Sequence, residues 1–306
     1  MADIKVGLAL GSGSARGWSH IGVIRALEEN GIKPDIVAGC SIGALVGAAY
    51  RGGQLDTLEK WVRALSFWDV VRLLDVKMMG GLIEGENLMA SFEDKLRDIN
   101  IEELSTPFAA VATDLGSGRE MWLREGPLRN AVRASIALPG LFSPVRLGDR
   151  WLVDGGLTNP VPISLCRAMG ADVIIAVNLN SDLVGRHLKS KEERSREIKD
   201  EERDLFNQLL SKLNSGILES KLARWGKNKK NGETVPGLFE VMASSINIMQ
   251  DRITKSRMAG DPPDVLISPR LGKLGLLEFD RADEAIAEGY ESVRRMGAAL
   301  KHALDQ

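Results

Sequence analysis

The 306-residue chain has few of the groups that most often carry chemistry. Two cysteines, Cys40 and Cys166, exclude a disulfide framework and suit a reducing compartment. Three histidines, His20, His187 and His302, stand far apart without ligand spacing, so no metal centre and no cofactor is expected. The 40 basic and 42 acidic residues leave a net charge of −2, which gives no electrostatic case for nucleic acid. No run approaches the ~20 apolar residues needed to span a bilayer. No basic segment followed by an apolar stretch opens the chain. The expected location is the cytoplasm, with peripheral contact at the inner face of a membrane left open.

What is present is ordinary for a globular protein: 44% hydrophobic and 27% charged residues, in a length that suits one large α/β domain over 1–306. Val6 to Leu10 is a short apolar run read as a buried strand. A glycine-rich turn, Gly11-Ser12-Gly13-Ser14-Ala15-Arg16-Gly17, leads into a helix from about Trp18 to Asn30 with Gly31 as its stop. Strand, turn, helix and a second strand at Pro34 to Ala38 form a βαβ unit, which predicts parallel strands covered by helices. Further helices are expected at 56–65, 86–97, 162–169, 239–258 and 281–304. Further strands are expected at 108–113, 120–123, 173–177 and 265–267, with a hairpin of 145–147 and 151–153 turning at Gly148-Asp149. Met78-Met79 and Phe67-Trp68 read as core in preference to an acyl-binding or membrane surface. From 185 to 236 the chain is dominated by charge and reads as a solvated or helical insertion.

The sharpest local signal is Gly39-Cys40-Ser41-Ile42-Gly43, between that second strand and a small-residue helix, Ala44 to Tyr50. A serine on a tight strand-to-helix turn exposes a hydroxyl nucleophile, and glycines at 39 and 43 relieve the crowding around it. The plainer reading is a tight βα turn without chemistry. The turn at 11–17 offers a partner function, because consecutive small residues at a helix N-terminus can aim backbone N–H groups at an anion. A nucleotide phosphate competes as the anion. However, Gly-Lys-Ser/Thr is absent, and Arg16 stands where the third glycine of a dinucleotide fingerprint begun at Gly11 belongs.

A serine nucleophile needs a base. The histidines read as surface or packing residues. Asp154, in Val153-Asp154-Gly155-Gly156, follows an apolar strand and can project from a sheet edge while its glycines permit close approach. An Asp-Gly pair also caps turns, and alone it would be read that way.

Together these three segments resemble the patatin-like phospholipase family: the glycine-rich turn ending in Arg16-Gly17, the elbow at Ser41, and Asp154-Gly155-Gly156, in that order. Ala134-Ser135-Ile136-Ala137-Leu138-Pro139-Gly140 is a further block similar to the family. The resemblance spans Val6 to about Val177 and is closest to small, single-domain bacterial members. It implies a three-layer α/β/α fold with a mainly parallel sheet and a nucleophile elbow. It also implies a Ser41–Asp154 dyad, an oxyanion held by the N–H groups of Gly13 and Ser14, and Arg16 adding charge or fixing the turn. No metal is implied. The implied substrate is a lipid or another acyl ester. Ser12 and Ser14 replace glycines common in the family's turn. The competing expectation is a weakly catalytic adaptor that docks a protein partner through the charged insertion.

Overall fold

A computed structural model describes residues 4–73, 86–182 and 238–305. The charged stretch at 185–236, the Met78-Met79 segment and His187 lie outside these residues.

Among the described residues, eight strands form one sheet. β1 (Val6–Leu10) lies between β2 (Ile36–Cys40) and β7 (Val173–Val177). β3 (Phe108–Asp114) extends the sheet beyond β2, and β8 (Val265–Ile267) beyond β7. These five strands pair in parallel. Their near-continuous apolar sequences fit strands buried on both faces. The end beyond β3 is antiparallel, built from β4 (Glu120–Leu123), β5 (Val145–Leu147) and β6 (Arg150–Asp154).

Side chains that alternate along the strands divide the core into layers. Leu8, Leu10, Val37 and Ile175 face a large cluster with residues from α1 (Ser19–Glu29), α2 (Ile42–Arg51), α3 (Leu55–Ala64), α5 (Glu86–Glu93) and α9 (Ala282–Arg295). Ala9, Ala38, Ala109 and Ile174 face the opposite way, against α7 (Ile163–Ala168), with Met258 of α8 (Leu238–Gly260) packed at that cluster. This is the expected helix–sheet–helix sandwich. α1 and α9 cross closely: a methyl group at Gly22 would overlap the Ile286 carbonyl, and one at Gly289 the Ser19 carbonyl.

Several expectations are corrected. The second strand begins at Ile36, not Pro34, because Asp35 instead brackets β1, donating its N–H to Val6 O and accepting from Val6 N. The helix expected from Trp18 begins as a 3-10 turn, Ser14–Trp18. The helix at 86–97 stops at Glu93, and the closing helix breaks at Met296 before α10 (Gly297–Leu304). Two helices were not expected, α4 (Phe67–Leu73) and α6 (Leu128–Ile136). Phe67-Trp68 is not core, for Trp68 is 49% exposed.

Candidate active site

Ser41 and Asp154 stand 113 positions apart in sequence, and the sheet register brings them together. Along β3, residues 110–113 pair with β4. β2 pairs with 108–111 and β6 with 112–114, so both use the opposite edge of β3. They meet there end to end: Cys40 pairs with Val111, and Asp154 pairs with its neighbour Ala112. Ser41 is the residue after Cys40.

At the end of β2 the chain turns sharply into α2, and Ser41 takes φ 56 and ψ −127. A non-glycine residue held there stores about 1–3 kcal/mol of strain. The surrounding bonds hold it. Ser41 N–H donates to Ser135 Oγ on α6 at 2.8 Å, and Ser41 O accepts from Ala44 N at 2.8 Å. The flanking glycines allow the elbow to pack. A methyl group at Gly43 would overlap the Leu10 carbonyl, and one at Gly39 would overlap Ala44.

Ser41 Oγ donates to Asp154 Oδ2 at 2.5 Å. Asp154 is wholly buried and fixed on every side. Its Oδ1 accepts from Gly156 N at 2.7 Å, its N–H donates to Ala137 O at 2.9 Å, and its carbonyl accepts from Thr113 Oγ1 at 2.9 Å. Burial pushes its carboxyl up to about 6, against the opposing effect of the Ser41 and Gly156 hydrogen bonds. Gly155 sits directly against the Val111 carbonyl, with no room for a side chain.

The glycine-rich turn lies beside this pair. Its amides divide cleanly: Gly11 N donates to Val177 O, Ser12 N to Pro160 O, Ala15 N to Leu276 O and Arg16 N to Gly13 O. Among the described residues, Gly13 N and Ser14 N have no acceptor. Ser14 adopts φ 53, and its hydroxyl donates to Leu276 O at 2.6 Å. Gly17 packs directly on Ile42, tying the turn to the elbow.

Arg16 lies behind the turn and does not line the crevice with Ser41. Fully buried, it donates from Nε to Gly13 O and from Nη2 to Asn180 Oδ1 and Asn247 Oδ1. Burial pulls its guanidinium down to about 10, partly offset by the charge of Asp182, so it remains charged at neutral pH. His20 is equally buried, and its Nε2 bonds to Gly11 O at 2.8 Å. Burial pulls this imidazole down to about 4, so the ring is neutral and Nε2 is the donor.

A narrow crevice opens over Ser41, Asp154, Gly13 and Ser14, with apolar walls that include Ile42, Phe92, Leu138, Phe142, Ile246 and Phe279. Sequence reading did not assign a role to Ser135, Asn180, Asn247 or Gln250. The last two lie on α8, whose buried face is polar (Asn247, Gln250, Asp251, Thr254) and whose exposed residues include Val241, Met242, Ile248 and Met249. The helical period of 239–258 does not show that its asparagine and glutamine are buried while its methionines are exposed. Among the described residues no three His, Cys, Asp or Glu side chains converge as a metal group. No helix among them is long and apolar enough to cross a membrane.

With this geometry in place, the chain compares with known proteins as follows. Residues 8–167 match the family model described as patatin-like phospholipase. An uncharacterised NTE family protein of Mycobacterium tuberculosis is 35% identical, covering 93% of this chain and 89% of its own. Neuropathy target esterase sws of Drosophila melanogaster is 33% identical over 58% of this chain and 13% of its own. Human patatin-like phospholipase domain-containing protein 6 is 34% identical over 58% of this chain and 13% of its own.

Proposed function

From the premise that the chain belongs to the patatin-like phospholipase family, we propose that it is a serine acyl hydrolase acting through a Ser41–Asp154 dyad. The family supports a lipolytic hydrolase in general terms. The observation that carries the finer reading is the 2.5 Å hydrogen bond from Ser41 Oγ to a wholly buried carboxylate. A carboxyl raised to about 6 is a stronger base than an exposed aspartate and is still mostly ionised at pH 7.

Asp154 accepts the Ser41 proton as Oγ attacks the ester carbonyl carbon. The carbonyl oxygen becomes an oxyanion, for which the N–H groups of Gly13 and Ser14 are the open donors. Collapse breaks the bond to the leaving alkoxide, which takes the proton from Asp154. Water then attacks the acyl-enzyme, losing a proton to Asp154, and collapse releases the acid as Oγ leaves and takes that proton back from Asp154. Arg16 and His20 hold the turn by its carbonyls.

A lipid surface is the proposed partner. Val241, Met242, Ile248 and Met249 are exposed on the helix whose Ile246 and Gln250 line the crevice. A membrane seated on that row would present acyl esters at the crevice.

Ser41→Ala and Asp154→Asn should each lower esterase turnover by at least about 10³-fold while the protein stays folded. A fluorophosphonate probe should label the wild type at Ser41 and leave Ser41→Ala unlabelled. An unlabelled wild type would favour the adaptor reading.

A further inference from the structure

We propose that Gln250 contacts the substrate, donating a hydrogen bond from its side-chain amide to a second oxygen beside the scissile ester. This rests on the serine hydrolase reading. Its starting point is Arg16, whose guanidinium only donates. Arg16 Nη2 lies 3.1 Å from one side-chain atom of Asn180, which must therefore be Oδ1. Asn180 is thereby oriented with Nδ2 towards Gln250, 3.1 Å away, and Gln250 must answer with Oε1. The same Oε1 accepts from Ser12 Oγ at 3.1 Å. Two donors thus fix which way the Gln250 amide points, and Nε2 is left on the other side.

Nε2 donates to no group among the described residues. It lies against Gly156, so close that a side chain there would overlap it, and the same hypothetical Cβ would be 3.0 Å from Asp154 Oδ1. Gln250 is 5% exposed and lines the crevice with Ser41 and Asp154. Nε2 keeps some exposure in the crevice, so an acceptor entering there can reach it. The ester carbonyl has its own donors at Gly13 and Ser14. The acceptor suited to Gln250 is therefore another oxygen of the same substrate, such as a hydroxyl or ester oxygen of a polyol carrying the acyl group. A few placed polar groups in an apolar pocket set orientation and specificity in this way.

The test compares kcat/KM for monooctanoylglycerol with kcat/KM for methyl octanoate, which has the same acyl chain and no oxygen outside the ester group. The wild type should prefer the glycerol ester, and the preference should fall about tenfold in Gln250→Met and Gln250→Glu. Gln250→Glu keeps the acceptor for Ser12 and Asn180 and replaces the amide donor with a charged oxygen, so it stays informative if Gln250→Met fails to fold. Its added charge acts on Asp154 for both esters alike, so the ratio is protected. A merely structural Gln250 would lower both rates together and leave the ratio unmoved, which overturns the inference. No preference in the wild type also overturns it. Wild-type protein that hydrolyses neither ester overturns the inference, and one that is also unlabelled by the fluorophosphonate probe overturns the hydrolase reading itself.

Discussion

Asp154 and His20 are wholly buried titratable groups whose environments push them in opposite directions. The Asp154 carboxyl is raised from 3.8 to about 6, so between those values the folded state holds a proton that the unfolded chain releases. Its contribution to stability is present below pH 3.8 and is lost as pH rises through about 6. His20 is lowered from 6.5 to about 4, so the unfolded chain takes up a proton first, and its contribution is lost as pH falls from 6.5 to about 4. Each shift of two pH units or more corresponds to about 3 kcal/mol. The two slopes should therefore nearly cancel in the wild type over pH 4–6. In Asp154→Asn the remaining His20 slope should appear, with denaturation midpoints falling steeply as pH drops. Activity should follow Asp154 alone: kcat/KM for a soluble ester should decline below about pH 6 and level off above it.

The elements carry the site by close approach. Gly22 of α1 and Gly289 of α9 let the two helix backbones touch. Gly22→Val and Gly289→Val should each destabilise the protein by about 3 kcal/mol or more in chemical denaturation. The double variant should cost less than the sum, because the second side chain enters a gap already forced open. Most strands were legible in the sequence, since runs such as Val173 to Val177 are apolar throughout. α6 was not. Its buried residues are Leu128, Ala131, Val132, Ala134, Ser135 and Ile136, and the small and hydroxyl residues among them dilute the helical repeat. The break at Met296 was missed because the apolar period continues through it, although Gly297 marks the start of the last helix.

At the scale of the whole molecule, the site gathers residues from the turn after β1, the elbow, α6, β6, the segment after β7, and α8. Ser41 and Asp154 were legible because each sits in a short glycine-marked motif. Gln250 and Asn247 were not, because their partners lie 70 or more residues away and nothing local distinguishes a buried amide from an exposed one. The same inverted helix gives a global prediction. Replacing Met242, Ile248 and Met249 together by serine should reduce co-flotation with phosphatidylcholine–phosphatidylglycerol vesicles several-fold. Turnover of vesicle-borne ester should fall relative to turnover of dissolved ester.

The meeting of β2 and β6 against one edge of β3 makes that strand a ruler. The distance between nucleophile and base is measured by a single peptide step, Val111 to Ala112, and not by the length of the loops that join β2, β3 and β6 along the chain. Those intervening loops are free to lengthen, shorten or change sequence among relatives without altering the spacing of the pair. A one-residue insertion within β3 has the opposite effect: it reverses the face of every following side chain and moves Asp154 out of register with Ser41. Tolerance to insertion should thus be lowest not at either reacting residue but in an alanine-rich strand that contributes no side chain to the chemistry.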